Sequence, residues 1–207
     1  MTARGFVNGL WLFILRRAVQ PEIRIHEKYY GWRRGRRCVD AKVGSVLKID
    51  VERYRGERVV LPDDTEVCPG DRIIELHFNN ERLRELHSGP HGSAAVGIRL
   101  RREFKESLAE LARLIAGNPL FEKAVALRGE TILKEIVMQL GFEMRSVPAS
   151  VDARLKVFYA RMLIAEYHPE GLGRLAGLEG REMVVIWMSV AELIRRYGAA
   201  VGNQGAP

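Results

Sequence analysis

The stretch that most restricts the fold is Pro69-Gly70-Asp71-Arg72-Ile73-Ile74-Glu75-Leu76-His77-Phe78-Asn79-Asn80. Proline presets one φ and glycine accepts the next, so the first three residues read as a tight turn. A strand follows. Side chains alternate across a strand, which puts Ile74, Leu76 and Phe78 on one face and Ile73, Glu75, His77 and Asn79 on the other. A carboxylate, an imidazole and an amide thus stand side by side, opposite the oily face. Asn79 or Asn80 can then cap a short helix through residues 81–86.

The flanking segments extend this pattern. Residues 44–61 read as a β-hairpin, with Val46, Ile49, Val51 and Tyr54 going out, a turn at Arg55-Gly56-Glu57, and Val59-Val60-Leu61 returning. A turn at Pro62-Asp63-Asp64 and a short strand at Glu66-Val67-Cys68 lead into the central strand. Downstream, Leu100, Phe104, Leu108, Leu111 and Ile115 recur at helical spacing within 94–116, and Gly117 and Pro119 stop that helix. Ala124 to Leu127 read as a buried strand broken at Gly129. Thr131 caps a helix bearing Ile136, Val137 and Leu140, and Gly141 closes it. Residues 142–147 are a further strand. A helix opens at Asp152 and ends near His168-Pro169. Met183 to Trp187 form a last strand, and Ser189 with Glu192 make a capping box for a final helix. The expected fold class is α+β: a small antiparallel β unit, then a helix and an alternating strand/helix half. The expected organisation is a basic segment at 1–38, one domain over 39–198, and a disordered tail over 199–207.

Charge is distributed unevenly. The chain has 33 basic and 26 acidic residues. Residues 1–38 hold nine of the basic and two of the acidic ones, leaving 24 of each in the rest. The whole imbalance of +7 therefore sits at the N-terminal end. Such asymmetry points to a polyanionic surface, a membrane face or a nucleic acid. Residues 5–19 are apolar but too short to span a bilayer, which needs about 20 residues. Arg16-Arg17 follows the apolar core and no small-residue cleavage site appears, so the run makes a poor signal peptide. As a helix it can pack on the core, or it can lie in a lipid interface with Trp11 buried and Arg16, Arg17, Arg33, Arg34, Arg36 and Arg37 on the headgroups. The neighbouring Tyr29, Tyr30 and Trp32 can alternatively stack bases, but no standard nucleic-acid motif accompanies them, so nucleic acid is the disfavoured partner. Two cysteines, Cys38 and Cys68, make no disulfide framework and fit a reducing cytoplasm.

Candidate chemistry centres on His77 and Glu75. Residues two apart on a strand share a face, so Glu75 can orient His77 for acid–base work. Asn79, Asn80, His87 and His91 are the candidate ligand contacts. His87 and His91 are four apart, but Gly89 and Pro90 between them rule out one helical turn, and no metal site is expected. The Gly171-to-Gly177 run follows a helix and precedes a strand, which is the wrong context for a dinucleotide turn. No cofactor is implied.

These residues resemble a known family. The block from Leu61 to Leu83 is similar to the Gly-Asp, Glu-Leu-His and Asn core of the YkoP-like domain. Ala126-Leu127-Arg128-Gly129, the Leu-Gly-Phe at 140–142, Tyr167 to Gly171, and Ile186-Trp187-Met188-Ser189 resemble later blocks, so the likeness covers roughly 44–198. Where the family often has Asp-Gly in the first turn, this chain has Asp63-Asp64. The resemblance implies a bacterial domain found alone or joined to polysaccharide deacetylase modules, and carries over no catalytic residue. The expected function is an accessory or ligand-binding domain of cell-envelope polysaccharide metabolism. It is expected in the cytoplasm, docked at the inner membrane face on anionic lipid or on a polysaccharide-modifying enzyme, with a small polar or sugar ligand. The alternatives are a transferase or hydrolase using a Glu75/His77 dyad on an envelope precursor, and a nucleic-acid-binding protein.

Overall fold

The computed structural model describes residues 41–87, 93–147, 157 and 182–198. The expected helices at 5–19 and from Asp152, the Gly171-to-Gly177 run, the arginine cluster and the tail lie outside them. Within them the chain runs β1 (Ala41–Val43), β2 (Leu47–Arg53), β3 (Val59–Val60), β4 (Glu66–Val67), β5 (Arg72–Phe78), α1 (Asn80–His87), α2 (Ser93–Gly117), a 3₁₀ turn (Pro119–Phe121), β6 (Ala124–Thr131), α3 (Lys134–Gln139), β7 (Glu143–Ser146), β8 (Val184–Ser189) and α4 (Val190–Tyr197). The class is α+β.

Six strands form one mixed sheet in the order β1-β2-β5-β6-β8-β7. The strand picked out by the alternation, β5, lies inside this sheet. It pairs antiparallel with β2 and parallel with β6, and α1 and α2 make the crossover between the two parallel strands. Parallel strands need such a connection because they run the same way. The proposed antiparallel unit and the alternating half are therefore not separate sheets.

Two expectations are corrected. Residues 44–61 do not pair as a hairpin: β2 goes to β1 and β5, and the two-residue β3 pairs with β4. Seven residues of β2 gain a full ladder against seven of β5, which a two-residue return strand cannot match. Gly129 does not break its strand either, since β6 runs through it to Thr131. A Cβ there would meet the Leu76 carbonyl oxygen at 3.2 Å and Ile186 at 3.4 Å, so the glycine lets its neighbours approach closely.

One face of the sheet is apolar and covered by helices. Leu47, Ile49, Ile74, Leu76, Leu127, Val184, Ile186 and Met188 join Leu86 of α1, Leu100, Phe104, Leu108 and Leu111 of α2, Val137 of α3 and Leu193 of α4 in one core. The period-3.6 stripe expected on α2 is buried along its length. Ser189 caps α4, its hydroxyl accepting from the Glu192 amide at 2.8 Å. The Glu192 carboxylate turns forward to Arg195 and Arg196. Gly141 closes α3 with φ +85°.

The opposite face carries a smaller apolar cluster: Ile73, Ala126 and Trp187 from the sheet, covered by Val59, Leu61 and Val67 of the β3–β4 hairpin. Tyr54 meets Trp187 edge to face, with centroids 5.4 Å apart. The hairpin loop is held by Asp63, whose carboxylate accepts from the Ser189 hydroxyl. Asp64 has φ 61°, the left-handed conformation that glycine favours.

A polar cluster fixes the turn between β1 and β2 to the helices. Glu103 of α2 is buried and accepts from Ser45 Oγ at 2.7 Å and from Arg82 Nε and Nη2 at 2.8 and 2.7 Å. The paired Arg82 guanidinium holds the Glu103 carboxyl below its usual range, against the upward push of burial. Asn79 Nδ2 donates to the Ser45 carbonyl at 3.1 Å, tying the end of β5 to the same turn.

Candidate functional site

Side chains in register across a sheet share a face. Antiparallel pairing sets Asp50 of β2 opposite Glu75 of β5, and Lys48 opposite His77. Parallel pairing sets Glu75 beside Arg128 of β6. Arg128 lies opposite Trp187 of β8, and Trp187 opposite Glu143 of β7. A single row, Asp50–Glu75–Arg128–Trp187–Glu143, thus crosses five strands on the face turned away from the described helices. The β3–β4 hairpin covers the part of this face around Trp187. Beside it stands a charged patch.

Glu75 is buried, 8% exposed. Its Oε1 accepts from Arg128 Nη1 at 2.7 Å. The same guanidinium donates through Nη2 to Glu130 Oε1 at 2.9 Å, and lies 5.9 Å from the centre of the Trp187 ring. Arg128 therefore bridges two carboxylates while resting on an indole face. Oε2 of Glu75 is buried and accepts no hydrogen bond. Burial pushes the Glu75 carboxyl above its ordinary range, and the charges of Arg128 and His77 only partly offset this. On Arg128 burial works against the charge, but Glu75 and Glu130 outweigh it and hold the guanidinium charged.

The sign of the resulting pH dependence follows from linkage. A group whose folded-state pKa lies above its unfolded value binds its proton more tightly when folded. Its contribution is complete below the unfolded value near 4.5 and is lost as pH rises through the folded value. Urea unfolding of the wild type and of Glu75→Gln, followed upward from about pH 4, is expected to show the wild type losing stability relative to the variant. A pH-independent difference would mean that Glu75 titrates as it does in the unfolded chain.

Glu75 and His77 do share this face. The carboxylate that stands at His77, however, is Asp50, with Oδ2 3.3 Å from Nε2. The imidazole side chain is 24% exposed and Asp50 7%. An imidazole against a carboxylate is an arrangement suited to proton transfer or to hydrogen bonding with a ligand. Asn79 is buried in the turn cluster, away from this patch, with Oδ1 accepting no bond. Asn80 and His87 are the first and last residues of α1. His91, Trp11, Arg16, Arg17, Arg33, Arg34, Arg36 and Arg37 lie outside the described residues. Among the described residues no group of three or more His, Cys, Asp or Glu side chains is placed to hold a metal ion, and no helix is long and apolar enough to cross a membrane.

Asp50, Arg128, Glu130, Trp187 and Glu143 are the members that local sequence patterns miss. Arg128 and Trp187 do fall in the blocks 126–129 and 186–189 that carry the family resemblance. Nothing in the sequence marks Asp50, Glu130 or Glu143.

Among the described residues the fold and site define a small α+β domain: one mixed sheet, helices on one face, a charged row and a covering hairpin on the other. The chain belongs to the YkoP domain family, which it matches over residues 16–197. It is similar to the uncharacterized protein YkoP of Bacillus subtilis (strain 168), at 30% identity over 106 residues, which is 51% of this chain and 57% of that protein. The alignment thus spans little more than half of that relative's length. No solved structure matches.

Proposed function

We propose that this chain is a ligand-binding module of cell-envelope polysaccharide metabolism, with the charged sheet face as its ligand surface and residues 1–38 as its contact to anionic membrane. The observation that carries the ligand half is the patch itself. Asp50 stands at His77, and Arg128 joins Glu75 to Glu130, on the sheet face that, among the described residues, carries the small hairpin and no helix. The same geometry favours binding over catalysis. Arg128 clamps Glu75 and Asp50 engages His77, so the two groups that would work as a dyad are each held by a different partner. Fixed polar groups of this kind orient a small polar or sugar ligand well.

The membrane half rests on charge. Nine basic residues against two acidic ones in residues 1–38 front a remainder with no net charge. Each arginine near an anionic surface contributes about 1 kcal/mol. Co-sedimentation of the full chain with vesicles containing phosphatidylserine is expected to fall steeply when Arg33, Arg34, Arg36 and Arg37 are changed to glutamate, and to weaken with salt. Equal, salt-insensitive binding by both proteins would remove the docking proposal.

A further inference from the structure

Two buried acceptors on the charged row find no donor among the described residues: Oε2 of Glu75 and Oε2 of Glu143. They flank Arg128 and Trp187 in the same cross-strand register. Glu75 is the more enclosed. One oxygen is taken by Arg128 and the other faces nothing that donates. A buried carboxylate oxygen without a donor forfeits its hydration and gains no hydrogen bond in return. Across the strand from Glu75 stands Asp50, a second buried acid. Like charges directly opposite one another are unfavourable in a sheet, so a positive donor reaching Glu75 would relieve both penalties.

The members of the patch nearest solvent are His77 and Arg128, which keep 24% and 23% of their side chains in solvent. An anion entering there would meet Asp50, Glu75 and Glu130. A neutral hydroxyl would supply a donor but no charge. An ammonium group supplies both.

We propose that the ligand of this face carries a protonated amine, which donates to Glu75 Oε2 between Arg128 and the Asp50–His77 pair. The inference rests on the reading of the face as a ligand surface and adds the chemical class of the ligand.

The test titrates the full chain with glucosamine, ethanolamine and spermidine, and with glucose as the neutral counterpart of the first. Binding is read by calorimetry, and the Glu75 side-chain carboxyl is followed by carbon NMR in the wild-type protein. Glucosamine is expected to bind about tenfold or more tightly than glucose, to lower the pH at which the Glu75 carboxyl titrates, and to lose its advantage in Glu75→Gln. The carboxyl titration needs no variant, so the test stands even where Glu75→Gln folds poorly. Equal binding of glucose and glucosamine, with shifts on β2, β5 and β6, would overturn the amine and leave the ligand surface. Amine binding that leaves the Glu75 carboxyl titration unmoved would also overturn the amine. No response to any of the four compounds would overturn both.

Discussion

Replacing Arg128 by alanine is expected to cost about 3 kcal/mol of unfolding free energy at neutral pH, the usual cost of leaving one partner of a buried ion pair unmatched. The reason lies in what remains. Glu75 is 8% exposed, its Oε2 already lacks a donor, and Arg128 Nη1 is its hydrogen-bond donor at 2.7 Å. Glu130 loses its 2.9 Å contact in the same step. The guanidinium resting near the Trp187 ring also goes, worth on the order of 1 kcal/mol. The loss should shrink in acid, where Glu75 is protonated and no longer needs a cation. Arg128→Met combined with Glu75→Gln should recover most of it, because exchanging both partners for neutral groups of similar size removes the unpaired charge. Urea unfolding of Arg128→Met, of Glu75→Gln and of the two combined gives the coupling directly. A cost below about 0.5 kcal/mol, like that of an exposed ion pair, would mean that water reaches Glu75 freely.

Gly44→Ala is expected to be comparably damaging for a different reason. Gly44 has φ +61°, and a Cβ there would lie 2.3 Å from Ser107 Oγ and 2.9 Å from Ser107 Cα. The left-handed backbone costs a non-glycine residue about 1–2 kcal/mol, and forcing a methyl into a packed contact about 1–3 more. Ser107 cannot step aside easily, because it is wholly buried on α2 and its hydroxyl donates to the Glu103 carbonyl at 2.9 Å. Gly70 supplies the control. Its φ is +99°, but a Cβ there would meet nothing within 4 Å. Gly70→Ala should therefore show the backbone cost alone, about 1–2 kcal/mol. The excess of Gly44→Ala over Gly70→Ala in urea unfolding measures how tightly the turn between β1 and β2 packs on α2. Equal effects would show that the turn moves away.

The stretch from Pro69 to Asn80 was readable because its information is local. A proline-glycine turn and a two-residue alternation dictate a strand with Ile74 and Leu76 on one face and Glu75 and His77 on the other, whatever the strand pairs with. The helical stripe from Leu100 to Ile115 was readable for the same reason. Pairing is not local. Val59 and Val60 look like a return strand for β2, but β5 offers a longer ladder and takes it. Gly129 looks like a stop, yet a glycine inside a strand also serves where a neighbouring carbonyl comes close.

The candidate site divides along the same line. The alternation marks Glu75 and His77, but their partners come from register. Arg128 is 53 residues from Glu75 along the chain, across a parallel crossover whose register no short motif encodes. Asp50 reaches His77 only because β2 lies beside β5 and not beside β3. Asn79 matched the polar pattern of the strand but sits one residue beyond its end, where its side-chain amide is drawn to the Ser45 carbonyl.

The ligand surface is tested most directly by where small molecules settle. Crystals of the full chain soaked with a panel of small polyols and amines should show one held against Asp50, Glu75, His77 and Arg128, on the sheet face opposite the helices. Soaked molecules found only elsewhere, with the chain itself packed over those four side chains, would contradict it.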